Sequence, residues 1–230
     1  MAPIENEITT EKERDMVTTL VIPTRGDRPG PLADLLQAAD TARVPTVLVW
    51  TGPVKSPWGP VKGTRFAGDD FVIVRGTPEL NIHKWWNHGL NVGSALWPGP
   101  CIVANDDVEI GPDTLHRMAA PILGGAALSY VDPPWAPRVT PISGWLFGID
   151  PDRIRPDESF RWWYGEHDLE LRARAAALEV SPVHDTGAQH LRTDHAYPAD
   201  LEPTIRAAVR ADQARFQTRW PEHTIRRLIP

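Results

Sequence analysis

The sequence predicts one α/β domain with a mostly parallel central sheet and helices on both faces. Three observations carry that expectation. Short, continuously apolar segments of strand length alternate with segments of helical periodicity, and strands apolar on both sides belong in a covered parallel sheet. A length of 230 residues suits a single core with tails. One apolar segment, Cys101-Ile102-Val103-Ala104, runs directly into Asn105-Asp106-Asp107, and open α/β sheets place their ligands at the carboxyl ends of such strands.

The first strand is Thr18 to Ile22, stopped by Pro23. Thr24-Arg25-Gly26-Asp27-Arg28-Pro29-Gly30 is a polar loop, and Leu32, Leu35, Leu36 and Ala39 recur at helical spacing over a helix from Pro31 to Ala42. A second strand, Thr46 to Trp50, ends at Thr51-Gly52-Pro53; the Gly- and Pro-rich stretch 54–70 is a loop, and Phe71 to Val74 is a third strand. A helix over Ile82 to Leu96 leads to the fourth strand, Cys101 to Ala104, and Gly111-Pro112-Asp113 is a turn. Ala126 to Val131 and Gly144 to Ile149 read as strands around the proline-rich loop 132–141. After a turn at Pro151 to Pro156 come a helix from His167 to Leu178 and a strand from Val180 to Val183. An irregular His-rich stretch, His184 to Tyr197, precedes a final helix from Pro203 to Arg219. The chain thus divides into a flexible tail (1–16), one domain (17–200) and a C-terminal helical segment (201–230) packed on that domain or extending from it.

Composition narrows the classes. Cys101 is the only cysteine, so there is no disulfide framework and a reducing compartment is the simpler inference. The polar stretch 1–16 has no signal-type apolar core and no run is long enough to span a bilayer, so a cytoplasmic protein is expected. A net charge of −6 argues against a broad nucleic-acid surface, although Arg206, Arg210, Arg215, Arg219, Arg226 and Arg227 crowd the C-terminal segment. The i, i+4 spacing of Arg206 with Arg210, and of Arg215 with Arg219, favours a solvated helix face. Ten tryptophans are many for this length; Trp85, Trp86, Trp135, Trp145, Trp162 and Trp163 lie near the motifs below, yet each taken singly is more readily core than ligand platform.

Adjacent carboxylates repel unless a cation or a shared proton lies between them, so Asp106-Asp107 suits a hard divalent metal with oxygen ligands and a substrate phosphate. The competing account is a strand followed by a solvated turn.

Taken in order, four pieces resemble the family 2-like glycosyltransferases of the GT-A (Rossmann-like) fold, over about Leu20 to His195. They are the strand end Ile22-Pro23-Thr24-Arg25, the helix bearing Asn87-His88-Gly89, the acidic strand end Asn105-Asp106-Asp107, and Gly165-Glu166-His167-Asp168-Leu169-Glu170-Leu171-Arg172. The resemblance implies a metal-dependent, inverting transfer of a sugar from a nucleoside-diphosphate sugar to an acceptor hydroxyl, a hexosyltransferase type of chemistry with Mn²⁺ or Mg²⁺ as cofactor. Asp107 then stands at the metal-ligating end of the family's D-x-D motif and Asp106 faces donor ribose or sugar, while Asn105 replaces the motif's first acid and keeps the capacity to hydrogen-bond a ribose. Some relatives use a histidine after the last strand as a further metal ligand, which makes His190 the first candidate and His195 the second.

An inverting transfer needs a carboxylate to take the acceptor's proton, and the resemblance offers Glu166 and Asp168. Here His167 separates acids that are adjacent in the family. Both lie at a helix N-terminus, whose dipole lowers a carboxylate's pKa; both also stabilise the helix there, and Asp168 can pair with Arg172. Pro23, Thr24 and Arg25 occupy the family's nucleotide-holding strand end. The acid that usually follows its second strand is absent, which leaves Trp50 as a stacking surface for the base. Asn81, Lys84 and Asn87 would project toward the same pocket, Lys84 as the phosphate or ribose contact, and Trp145 would form a wall of the sugar site.

Two other readings compete. A sugar-phosphate nucleotidyltransferase shares the layout, but Gly26 and Gly30 around Asp27-Arg28-Pro29 are a poor version of its phosphate loop. A catalytically silent GT-A-like binding module would keep the fold without the chemistry. The acceptor stays open among a protein, a glycan and a modified DNA base, and the Ala-, Arg-, Pro- and Trp-rich composition suggests a GC-rich genome, that of an actinobacterium or its phage.

Overall fold

The structure, a computed structural model, describes residues 17–52, 70–111, 113–132, 142, 144–191 and 201–229. In chain order the elements are β1 (Thr19–Thr24), α1 (Pro29–Ala42), β2 (Thr46–Trp50), β3 (Phe71–Arg75), α2 (Ile82–Leu96), β4 (Cys101–Ala104), β5 (Val108–Glu109), α3 (Thr114–Leu123), β6 (Leu128–Val131), β7 (Leu146–Ile149), α4 (Gly165–Ala175), β8 (Val180–Val183), β9 (Gln189–His190), α5 (Glu202–Arg219) and α6 (Glu222–Leu228). Seven strands form one sheet in the order β3-β2-β1-β4-β7-β6-β8. All run the same way except β7, which is antiparallel to both β4 and β6. A separate antiparallel ribbon pairs β5 with β9, Val108 opposite His190.

Alternation along each strand feeds two cores. Leu20, Ile22, Leu48, Ile102 and Ala104 meet Leu32, Leu35 and Leu36 of α1 and Leu115 and Met118 of α3 on one face. Val21, Val47, Val49, Val103 and Phe147 meet Trp85, Trp86 and Leu90 of α2 and Leu169 and Ala173 of α4 on the other. Gly89 lets α2 lie directly on β1, since a Cβ there would overlap the side chain of Val21.

The element boundaries shift in informative places. β1 continues through Pro23, although a central strand ordinarily excludes proline. Backbone N–H groups of β1 alternate between neighbours, Thr19 donating toward β4 and Leu20 toward β2, so the position of Pro23 faces the β4 side, where pairing has ended at Val21 opposite Val103. The sequence reading placed no element at α3, whose buried Leu115, Met118, Ala119 and Ile122 follow helical spacing but carry Pro121 within the helix. Helix α4 begins at Gly165 and brings Glu166 into its first turn.

Candidate active site

The order β3-β2-β1-β4 reverses its direction of growth between β1 and β4, and a crevice opens at the strand ends on either side of such a switch point. The chain places Thr24 at one edge and Asn105-Asp106-Asp107 at the other. The Thr24 hydroxyl donates to Asp106 Oδ2 at 2.6 Å and itself accepts the backbone N–H of Gly26 at 2.9 Å. Burial pushes the Asp106 carboxyl up to about 6, against the Thr24 hydrogen bond and the nearby Arg28 charge, which lower it.

Asp107 lies beneath this, its side chain only 6 % exposed. The Arg28 guanidinium, from the β1–α1 loop, contacts Asp107 Oδ2 and stands 3.9 Å from Asp106 Oδ1. On the other side His190 Nε2 is 3.2 Å from Asp107 Oδ1. The ribbon holds His190 there: Val108 pairs with it, and Leu191 donates its N–H to the Asp107 carbonyl at 2.9 Å. Its ring stacks on Trp145 with centroids 5.6 Å apart and an interplanar angle of 4°. The Trp145 carbonyl accepts the Asn105 N–H at 2.9 Å, while Asn105 Oδ1 is buried with no hydrogen-bond partner among the described residues.

The two carboxylates expected from the sequence to serve as a base, Glu166 and Asp168, lie on the first turn of α4. Glu166 packs against the neighbouring Gly144, where a Cβ would meet Glu166 Cγ and Cδ at 3.3 Å. The expectation that the helix N-terminus lowers its pKa is overturned: burial pushes Glu166 up to about 7, with the Asp212 charge adding to it, and its own backbone N–H offsets only part. Glu170, one turn on, accepts the N–H of Ile142 at 2.7 Å and pairs with Arg174, so the same helix face anchors the approach to Gly144.

Asp168 faces the other way. Two residues along a helix is a rotation of about 200°, and Asp168 is fully buried there, accepting from Arg172 Nε at 2.7 Å, Arg219 Nη1 at 2.8 Å and Trp220 Nε1 at 2.9 Å. Buried Asp212 of α5 completes the attachment by accepting the backbone N–H groups of Arg161, Trp162 and Trp163 ahead of α4. Residues 201–229 are therefore packed on the domain in the structure, and Arg206, Arg215, Arg219 and Arg226 are engaged by Glu202, Asp212, Asp157 with Asp168, and Glu222 respectively.

Other candidate contacts are taken up by the fold. Trp50, expected as a stacking surface, is 3 % exposed with Gly26 and Gly52 packed against its ring. Asn81 caps α2 by accepting the Lys84 N–H at 3.0 Å and donates to the Glu158 carbonyl at 2.9 Å. Lys84 pairs with Glu79 at 2.5 Å, Asn87 donates to Pro156 O and Glu158 Oε1, and Arg25 pairs with Asp27 at 3.0 Å. Pro23 is part of β1. His184 pairs with Asp132 at 3.1 Å, and His195 and Trp135 lie outside the described residues. Sequence reasoning missed Arg28, Glu170 and Asp212, and also His83, a fully buried residue whose Nδ1 is 3.0 Å from the Phe160 carbonyl.

Among the described residues no group of three or more His, Cys, Asp and Glu side chains is disposed to hold a metal ion. Asp107 with His190 supplies two suitable donors, a carboxylate and an imidazole, so a divalent cation held by them would draw its remaining ligands from outside the described side chains. No helix among the described residues is long and apolar enough to cross a membrane.

No protein-family model matches the sequence, and no curated protein matches it. Solved structures do. The fragment 1–349 of the glycosyltransferase TarS from S. aureus aligns with a TM-score of 0.57 at 12 % identity, over 88 % of this chain and 73 % of that one. A Desulfovibrio desulfuricans G20 protein assigned as a nucleotide-diphospho-sugar transferase aligns with a TM-score of 0.51 at 12 % identity, over 92 % and 97 %. The fold is GT-A-like, a single α/β domain of the architecture found in nucleotide-sugar transferases.

Proposed function

We propose that the protein is an inverting glycosyltransferase that uses a nucleoside-diphosphate sugar. The observation that carries this reading is the convergence of Thr24, Arg28, Asp106, Asp107 and His190 at the switch point of a GT-A-like sheet. Thr24 and the buried Oδ1 of Asn105, which has no partner among the described residues, line the donor end, and a ribose hydroxyl is the kind of donor that oxygen lacks. Asp106, tied to Thr24, faces the donor, and Trp145 stiffened by His190 walls the sugar.

Asp107 and His190 would hold a divalent cation, which supplies positive charge to offset the negative charge gathering on the departing diphosphate. The protein's own part is positioning and proton transfer. Glu166, beside Gly144 and Trp145, takes the proton of the acceptor hydroxyl as that oxygen bonds to the anomeric carbon and the bond from that carbon to the diphosphate oxygen breaks. A carboxyl near 7 suits the task, being partly ionised at neutral pH yet basic enough to hold the proton. Asp168 holds α4 to the C-terminal helices and does no proton transfer, because three donors already occupy its oxygens.

The test is calorimetric titration with UDP-, GDP- and dTDP-sugars, with and without Mn²⁺, on wild type and Asp107→Ala. Metal-dependent binding of one donor class that disappears in the variant supports the reading. Binding indifferent to metal and to Asp107, or none at all, removes it.

A further inference from the structure

The candidate site already contains a cation. Asp106 and Asp107 are adjacent carboxylates with side chains 16 % and 6 % exposed, and two such groups stay ionised together only where positive charge is brought to them. The Arg28 guanidinium brings it, with Nη1 against Asp107 Oδ2 and within 3.9 Å of Asp106 Oδ1. Arg28 differs from the acids in its setting. Its side chain is 38 % exposed and comes from the loop between β1 and α1, where a four-torsion side chain is free to turn outward.

The geometry points to Arg28 as a resident counter-cation that competes with a divalent metal ion for Asp107. A guanidinium nitrogen in contact with Asp107 Oδ2 fills the space a ligated cation needs beside that oxygen, and like charges repel strongly in a partly buried site. In the absence of nucleotide, therefore, metal affinity is held down by the protein itself. Under the glycosyltransferase reading, on which this consequence rests, a bound diphosphate gives the released guanidinium a new partner, whose paired oxygens can meet its planar fork of donors. Metal and nucleotide then bind with positive coupling, each making room for the other.

The experiment titrates Mn²⁺ alone, by calorimetry and by loss of the free-ion electron paramagnetic resonance signal, into four proteins. These are wild type, Arg28→Gln, Arg28→Lys, and Arg28→Gln combined with Asp107→Asn. The expected result is that Arg28→Gln binds Mn²⁺ roughly tenfold more tightly than wild type, that Arg28→Lys stays near wild type because it keeps the charge, and that the double variant loses the gain. Thermal melting shows that each variant is folded, and Mn²⁺ should raise the melting temperature of Arg28→Gln more than that of wild type. Equal or weaker Mn²⁺ binding by Arg28→Gln overturns the competition, as does a failure of every protein to bind Mn²⁺ with or without a nucleotide sugar. If Arg28→Gln gains metal affinity while no protein binds any nucleotide sugar, the competition stands and the glycosyltransferase reading is what falls.

Discussion

Nε2 of His83 lies 4.0 Å from Oε2 of Glu166, beyond hydrogen-bond reach. The Phe160 carbonyl can only accept, so Nδ1 of His83 carries the hydrogen, and burial lowers the imidazole to about 4, which leaves a lone pair on Nε2. The carboxylate thus faces an uncharged ring and packs against Gly144, while His167, whose imidazole burial likewise lowers to about 4, has Nε2 3.9 Å from Oε1; neither ring brings a charge to stabilise the anion.

A pH profile of transfer follows. As the proposed base, Glu166 must be ionised to act, so kcat/KM should rise through about pH 7. Glu166→Gln should abolish that limb and lower the rate by on the order of 10²- to 10⁴-fold. Stability moves oppositely. A carboxyl raised from 4.5 to about 7 in the folded state contributes stability that is complete below the lower value and lost as pH rises through the higher one. Glu166→Gln should therefore match wild type in acid and exceed it by on the order of 3 kcal/mol above pH 7. Urea melts at several pH values check this; a variant less stable than wild type at high pH would contradict it.

Asp168→Ala should behave in the reverse manner. It strips the acceptor from Arg172, Arg219 and Trp220 and leaves those donors facing a cavity, so a loss of about 3 kcal/mol is expected. If the variant is folded at low temperature, donor binding measured there should persist. A stable Asp168→Ala without activity would return Asp168 to the chemistry.

Much of this was legible in the sequence. The strands β2 and β4 and the helix α2 coincide with their expected bounds, because apolar runs and flanking Gly or Pro mark them locally. Asp107 and His190 are brought together although 83 positions apart, which no spacing rule could establish. The separation of Glu166 from Asp168 could have been read from helical rotation alone. Arg28 could not: nothing local distinguishes a loop arginine beside Asp27 from one that crosses to β4, and its role exists only once β1 and β4 are neighbours. Trp50 is packed and Asn81 caps α2, tasks that a tryptophan at a strand end and an asparagine before a helix take up as readily as binding, and local sequence does not separate the two.

Thr24→Val tests the proposed donor end. The change keeps the shape and removes the hydroxyl whose hydrogen bond holds the Asp106 carboxyl down against burial. The pKa of Asp106 should then move further up from about 6. Donor affinity that depends on an ionised Asp106 should fade below about pH 6 in wild type and at a higher pH in the variant. Calorimetric affinity against pH reads the displacement; coincident curves would show that Asp106 does not meet the donor as an anion.

Gly165→Ala probes the seat of α4. A Cβ at this position would overlap the imidazole of His83, which is fully buried and fixed by Phe160, while the preceding Tyr164 has a left-handed backbone with φ 65°. Neither side yields easily, so overpacking should cost roughly 1–3 kcal/mol and displace the turn that carries Glu166. His83→Ala alone opens a cavity and frees the Phe160 carbonyl, which costs about as much. Combined, the two changes should fit one another, the new methyl entering the space the ring leaves. The double variant should therefore be more stable than the sum of the single losses by about 1 kcal/mol or more, measured by chemical denaturation as a double-mutant cycle. Strict additivity would mean that α4 adjusts its start independently of His83, and that the close approach of helix and ring does not position Glu166.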